Sequence, residues 1–124
     1  MSIYLLRGKF KPYVRMTRRG KWIDPEAQAY LVSQANLIAQ LRQQMNGQQM
    51  LPARTPLKVV LWIIAPRVKH NCDIDNQAKA LLDAAKGIIY DDDHWIDSLG
   101  VTRLTGAEEE VIFLAQALEV SHVA

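Results

Sequence analysis

The chain is 124 residues long, enough for one domain with a buried core and too short for two independent ones. Its 49% hydrophobic and 23% charged residues exclude a disordered chain, and its longest apolar run, residues 59–65, is too short to cross a membrane. Residues 1–72 hold 12 Lys and Arg against 2 acids (+10), whereas residues 73–124 hold 3 against 11 (−8). This asymmetry predicts a basic surface for a polyanion such as nucleic acid beside an acidic site.

The compartment is predicted from features near the N-terminus and from cysteine content. The first residues lack the apolar core and cleavage site of a signal peptide, and Cys72 is the only cysteine, so no internal disulfide can form. We therefore predict one cytoplasmic domain, residues 1–124, with no membrane partner. Because the sequence has no P-loop and no glycine-rich dinucleotide fingerprint, no organic cofactor is expected.

Strands and helices are predicted in the order β-α-β-α-β-β. This order favours an α/β (α+β) domain with one mixed four-stranded sheet and two main helices packed against it. Residues 3–9 are predicted to form the first strand. The next segment, residues 9–22 (KFKPYVRMTRRGKW), is strongly basic and contains a turn signal, so it is expected to be an exposed hairpin or loop.

The first helix is predicted to begin at Asp24, which can cap it, with Pro25 in the first turn and Glu26 near the positive end of the helix dipole. Gly47 is a natural end for this helix. Apolar residues recur along it at helical spacing and predict one buried face: Ala27, Tyr30, Leu31, Ala35, Ile38, Leu41 and Met45.

The second half of the chain supplies the remaining elements. Residues 57–65 (LKVVLWIIA) are almost entirely apolar, which predicts a central strand covered on both faces, with Trp62 in the core. A second helix is predicted at residues 75–86. Residues 96–104 and 110–118 are two further strands, predicted to form an antiparallel pair.

The acidic residues are concentrated in one place, with 7 of the 13 within residues 73–97. Asp75, Lys79 and Asp83 follow one another at spacings of four, so they share one face of the second helix. The aspartate triple at residues 91–93 can fold back beside that helix. Two acidic clusters therefore flank the same helix.

Ionised carboxylates at contact distance raise each other's pKa values unless a cation neutralises them. Aspartate oxygens without a thiolate cluster favour a hard divalent ion, Mg²⁺ or Mn²⁺. Such an ion polarises a phosphodiester, and Lys79, one turn after Asp75, can stabilise the charge that develops on the phosphate. The pattern predicts a metal site that includes Asp73, at the start of the helix.

Simpler interpretations of the same residues remain open. Asp75, Lys79 and Asp83 also fit a solvated helix face with ion pairs. Asp73 can be a helix cap, and aspartate triples are common in turns. A calcium EF-hand loop is excluded by the residues that follow Asp75, and the three histidines and one cysteine lack the spacing of a zinc site.

The pattern D-x-D-N-x-x-K at residues 73–79, followed by LLDAAKGIIYDDDHWI, closely resembles the RusA family of Holliday-junction resolvases. The resemblance spans most of the chain, since the basic N-terminal segment also looks like that of phage-type relatives. It implies that Lys79 is the catalytic lysine. The metal-binding carboxylates that it implies are Asp73, Asp75, Asp93 and the adjacent Asp92. The third aspartate leaves the register of the D-D pair open by one residue, so Asp92 can replace Asp93 as the principal ligand.

The function that this resemblance implies is that of a homodimeric, Mg²⁺-dependent endonuclease, with Mn²⁺ as the expected substitute. Such an enzyme nicks two opposed strands of four-way junction DNA in recombination and repair. A two-fold dimer suits a junction with approximate two-fold symmetry, because each strand to be cut then meets one active site.

The basic residues are candidates for contacts with DNA phosphates, which are salt-sensitive and independent of base sequence. They are Arg15, Arg18, Arg19 and Lys21 in the N-terminal segment, and Arg67, Lys69 and His70 before the acidic pattern. A solubilising charged loop is the alternative. Trp22 and Trp95 can stack on an unpaired base at the branch point, or fill the core or a dimer interface.

Two other functions fit the same sequence. One is a non-catalytic DNA-binding module whose acidic cluster contacts a partner protein. The other is a nuclease of broader range that cuts flaps or other branched DNA. The first predicts no metal-dependent activity, and the second differs from a resolvase only in substrate range.

Overall fold

The computed structural model describes residues 1–15 and 24–119, and within them the predicted order of elements is confirmed. The elements are β1 (Ser2–Arg7), α1 (Pro25–Met45), β2 (Leu57–Ala65), α2 (Ile74–Ala85), β3 (Ile96–Thr105) and β4 (Glu110–Ala117). Two short 3₁₀ turns, Arg67–Lys69 and Asp93–Trp95, precede α2 and β3. No helix in these residues is long and apolar enough to span a membrane.

The four strands form one mixed sheet in the order β1-β4-β2-β3. β2 pairs antiparallel with β4 along one edge and parallel with β3 along the other. The prediction that β3 and β4 pair with each other is therefore wrong, because β2 lies between them. The crossover from β2 through α2 makes β3 a parallel neighbour of β2. β4 then occupies the remaining edge, so the most apolar strand is hydrogen-bonded on both sides.

The connection from β3 to β4 crosses the end of β2, and Gly106 makes this crossing possible. Its backbone N–H donates to the carbonyl oxygen of Ala65, the last residue of β2, at 3.1 Å. A Cβ atom at residue 106 would lie 2.6 Å from Cγ2 of Ile64, which is closer than side-chain carbons pack. Glycine is therefore the residue that fits here without displacing β2.

We expect Gly106→Ala to lower the free energy of unfolding by about 1–3 kcal/mol, because the added methyl group overpacks against Ile64. Gly100→Ala is the matched control, since a Cβ atom at that position in β3 would lie at an ordinary 4.0 Å from Val60. Urea unfolding of both variants and the wild type measures the difference. Equal stabilities of the two variants would contradict the tight crossing.

The core lies on one face of the sheet. Leu37 and Leu41 of α1 and Leu81 of α2 pack in one buried cluster with Val59 and Leu61 of β2. The residues between them in β2 point to the opposite face, which no helix in the described part of the chain covers. The prediction that β2 is covered on both faces is therefore wrong.

We call this uncovered surface the open face of the sheet. Its apolar side chains include Ile3, Leu5, Val60, Trp62, Leu104 and Leu114. Trp62 is 39% exposed there, so the prediction that it is a core residue is also wrong. The physical reason is strand alternation, which sends every second side chain of β2 away from the helices.

α1 covers the outer edge of β1. The side-chain amide of Gln44 bonds both backbone groups of Leu5, at 2.9 and 2.7 Å, and that of Gln40 bonds both backbone groups of Arg7 at the same two distances. These amides satisfy the free backbone N–H and C=O groups of the edge strand, as a neighbouring strand would.

The predicted start of α1 is confirmed, since the Asp24 carboxylate accepts a backbone N–H of the first turn at 2.9 Å.

Candidate active site

The acidic pattern begins where the chain enters α2. Asp73 occupies the N-cap position of this helix, but its side chain makes no capping hydrogen bond. A cap therefore does not account for the carboxylate. Asp73 and Asp75 are both exposed, one just before the helix and the other in its first turn.

Asp75, Lys79 and Asp93 line one open cleft of about 300 Å³. The other lining residues are apolar: Ile74, Ala78, Leu82, Leu99 and Val101. Asp75 also lines an adjoining cleft together with Asp73 and Arg103. The segment between α2 and β3 thus folds back, as predicted, and brings Asp93 to the same cleft as Asp75. We call these two spaces together the acidic clefts.

The ammonium group of Lys79 is held by two neighbours. Its Nζ lies 3.7 Å from Oδ2 of Asp83 and 4.6 Å from the centroid of the Tyr13 ring. The ion pair that the helical spacing allowed is therefore present with Asp83, whereas Asp75 takes part in no ion pair within the described residues. The Lys79 side chain is 50% exposed, so this pair contributes at most about 1 kcal/mol to stability.

The N-terminal basic segment reaches the site through Tyr13. The backbone N–H of Tyr13 donates to the carbonyl oxygen of Asn76 in α2 at 3.0 Å, and its ring meets Tyr30 of α1 edge-on at 5.9 Å. Burial, with the nearby charge of Asp83, raises the pKa of Tyr30 to about 12, so this hydroxyl stays protonated at neutral pH. Arg15, two residues after Tyr13, is exposed.

The other basic candidates differ in whether the structure describes them and in whether their side chains are exposed. Arg18, Arg19 and Lys21, like Trp22, lie outside the described residues. Arg67 and Lys69 are exposed on the turn before α2, as phosphate contacts require. His70 is only 8% exposed, and its Nε2 lies 3.1 Å from the carbonyl oxygen of Leu104. The prediction that His70 contacts phosphate is corrected, because its ring packs inside and links this turn to β3.

The last two aspartates of the triple have different environments. Asp92 accepts the backbone N–H of His94 at 3.1 Å and lies 3.7 Å from Nζ of Lys86. The bond from His94, with a further one shared with Asp93, holds the pKa of Asp92 below its usual value. Partial burial and the bond shared with Asp92 raise the pKa of Asp93. Asp93, rather than Asp92, lines the cleft with Asp75.

Trp95 packs against the core and meets the ring of His94 edge-on, with centroids 5.4 Å apart. This position favours a packing role over base stacking.

Sequence reasoning missed two residues at the site, Tyr13 and Arg103. Tyr13 carried no signal, but Arg103 is the one basic residue in β3, and its charge at an inward position of the strand could have been noticed.

The carboxylates of the acidic clefts fit a hard divalent ion by their chemistry. Their donor atoms are aspartate oxygens, which suit Mg²⁺ or Mn²⁺ better than zinc. Burial and the neighbouring carboxylates raise the pKa of Asp93, and a bound cation would relieve that repulsion. Within residues 1–15 and 24–119, no three His, Cys, Asp or Glu side chains lie close enough together to hold a metal ion.

An acidic cleft with a lysine, beside a basic segment, is typical of an enzyme that cleaves nucleic acid. The family model described as Endodeoxyribonuclease RusA matches residues 7–113. This match runs from the end of β1 into β4 and covers most of the chain. The chain therefore belongs to the RusA family of Holliday-junction endodeoxyribonucleases, and the resemblance predicted from the sequence is confirmed. A search of curated proteins found no match.

Proposed function

We propose that this protein is a Mg²⁺-dependent endodeoxyribonuclease that resolves Holliday junctions in the cytoplasm by paired, symmetric nicks, in DNA recombination and repair. The observation that carries the proposal is the cleft shared by Asp75, Lys79 and Asp93 in a chain of the RusA family. Asp93, from the turn before β3, meets Asp75 and Lys79 of α2 there.

In the proposed site, Asp73, Asp75 and Asp93 would hold the metal after moving closer together than they lie in the described structure, and Asp92 would support Asp93. Asp92 has the supporting role because it already caps the turn before β3 and lies 3.7 Å from Nζ of Lys86. The chemistry that Mg²⁺ or Mn²⁺ supplies when bound is polarisation of the phosphodiester.

Lys79 places a positive charge at the same cleft, where it stabilises the negative charge that develops on the phosphate during cleavage. Asp83 and the Tyr13 ring hold the ammonium group in position. Because the ion pair with Asp83 is partly exposed, it restrains Lys79 without cancelling its charge.

Basic groups of the turn before α2 and of the N-terminal segment hold the DNA. Arg67 and Lys69 are exposed on the turn that leads to Asp73, and Arg15 follows the stretch that Tyr13 fixes on α2. The same basic segment continues in sequence with Arg18, Arg19 and Lys21. Such contacts give salt-dependent affinity with little sequence preference, which suits recognition of a branched structure.

We place the homodimer interface on the open face of the sheet. Trp62, Leu5 and Leu104 are each more than a third exposed there, and a groove of about 170 Å³ beside Trp62 is also lined by Val60 and Leu114. An uncovered apolar surface of this kind marks an interaction site. A second copy is the partner because the junction has approximate two-fold symmetry and needs one active site for each strand that is cut.

Trp62→Glu is expected to convert the dimer to a monomer and to abolish paired nicking, since a tryptophan at the centre of an interface typically contributes about 2 kcal/mol or more. Val32→Glu is the control, because Val32 is a 72% exposed apolar residue of α1, away from the open face. Analytical ultracentrifugation measures the assembly state. A monomeric wild type, or a Trp62→Glu variant that remains dimeric, would contradict this interface.

The function is tested with an end-labelled four-way junction, incubated with the protein in Mg²⁺ or in EDTA beside a linear duplex of matching sequence. Paired nicks near the branch point, in Mg²⁺ only and absent from the duplex, are expected. Tight binding without cleavage in Mg²⁺ or Mn²⁺ would instead favour the non-catalytic DNA-binding module. Equally fast cutting of flaps would favour the nuclease of broader range.

A further inference from the structure

Arg103 is a charged residue on the core side of the sheet. It stands opposite Ile63 in the parallel pairing of β2 and β3, and Ile63 is buried under the helices. Leu99 and Val101, the inward residues that precede it in β3, line the cleft of the catalytic lysine. A charge at such a position is costly unless it is paired or serves a function.

Protein groups satisfy only part of the Arg103 guanidinium. Its Nη2 donates to the carbonyl oxygen of Cys72, the residue before Asp73. Its Nε is buried and has no hydrogen-bond partner among the described residues. No carboxylate in residues 1–15 and 24–119 forms an ion pair with it. One end of the guanidinium is therefore held by a hydrogen bond, whereas its charge has no carboxylate partner and its Nε has no acceptor among the described residues.

The Arg103 guanidinium, which has no ion-pair partner among the described residues, borders the acidic clefts. Arg103 lines a space of about 520 Å³ together with Cys72, Ile74 and the two carboxylates Asp73 and Asp75. Neither carboxylate pairs with it, so its charge is available to another anion. Arginine offers a planar fork of N–H donors that matches the oxygens of a phosphate group.

We propose that Arg103 binds a phosphate group of the DNA strand that lies beside Asp73 and Asp75, an inference that rests on the proposed function. The bond to Cys72 holds the guanidinium in place before DNA arrives, which lowers the entropy cost of ordering it. The phosphate then neutralises the charge of the guanidinium, which no carboxylate of the described residues pairs with. Arg103 is thus a substrate-binding residue within the active site and not only a support for the loop before α2.

Junction binding in EDTA tests this contact separately from cleavage. Fluorescence anisotropy at several salt concentrations compares the wild type with Arg103→Gln and with Arg42→Gln, an exposed arginine of α1 that borders neither acidic cleft. The slope of log K against log salt is expected to become shallower by about 0.9 in Arg103→Gln, as for one lost phosphate contact, and to stay unchanged in Arg42→Gln. A wild-type slope in Arg103→Gln would overturn the proposal and leave Arg103 as a support for Cys72.

A second measurement uses the wild-type chain and does not depend on the folding of Arg103→Gln. The Hε–Nε NMR signal of Arg103, assigned by its loss in Arg103→Lys, is followed while junction DNA is added in EDTA. A shift that saturates with binding is expected, and an unchanged signal at saturating DNA would overturn the contact. Because neither measurement involves cleavage, a wild type without nuclease activity would refute the proposed function while the binding data still decide the role of Arg103.

Discussion

Asp75→Asn is expected to reduce cleavage of a four-way junction to the level of a protein-free control while junction binding is retained. Asp75 is the carboxylate common to both acidic clefts, since it lines one with Lys79 and Asp93 and the other with Asp73. The amide has nearly the same shape, but it removes the negative charge that a divalent ion requires. Gel assays of cleavage and anisotropy of binding, on the same protein sample, measure the two effects.

Asp97→Asn is the matched control for this substitution. Asp97 is an exposed carboxylate at the start of β3 and borders neither acidic cleft. We expect it to cleave at the wild-type rate. Normal cleavage by Asp75→Asn, or an equal loss in both variants, would show that the active site is assigned wrongly.

Lys79→Met is expected to lower the single-turnover cleavage rate about 10²–10³-fold, the usual cost of removing one group that stabilises transition-state charge. Junction affinity should change little, because many other basic groups contribute to binding. Lys79→Arg keeps the charge and should recover part of the rate. Single-turnover conditions, with protein in excess over DNA, separate the chemical step from binding and product release.

Lys86→Met is the control for Lys79→Met. The two lysine side chains are each 50% exposed, and each ends 3.7 Å from an aspartate oxygen, Asp83 for one and Asp92 for the other. Lys86 does not line the cleft, so its loss should alter the rate only slightly. Equal losses in the two methionine variants would assign the effect to ion pairing near α2 instead of to catalysis.

Local signals in the sequence located the elements but not the pairing of the strands. The bounds of β2 were predictable because an apolar run ends at Pro66, which cannot continue a central strand. The short connection after β3 is typical of a hairpin, yet β2 from earlier in the chain lies between β3 and β4. Nothing local encodes that arrangement, since it depends on which strand pairing buries the most apolar surface.

The open face of the sheet illustrates a second limit. An unbroken apolar run is the same in a strand covered by helices on both sides and in one with an apolar surface left uncovered. Trp62 could therefore not be assigned to either face from its neighbours in sequence. The Trp62 side chain is 39% exposed because both helices pack on the other face of the sheet, and that arrangement is known only from the folded chain.

The candidate site was predictable where a helix fixes the direction of side chains. Asp75 and Lys79 share a face of α2 because of their spacing of four residues, and both line the same cleft. Spacing alone leaves the choice between Asp92 and Asp93 open, and our proposal of Asp93 depends on the observation that Asp92 caps the turn before β3. The contact of Arg103 with Cys72 joins residues 31 positions apart and needed the folded chain.

The central claim is that the carboxylates of the acidic clefts bind a divalent ion. Mn²⁺ titrated into the wild type, Asp75→Asn and Asp97→Asn, with free Mn²⁺ followed by electron paramagnetic resonance, measures that binding directly. The account predicts saturable Mn²⁺ binding by the wild type and Asp97→Asn, and its loss in Asp75→Asn. Equal Mn²⁺ binding by the wild type and Asp75→Asn would contradict it.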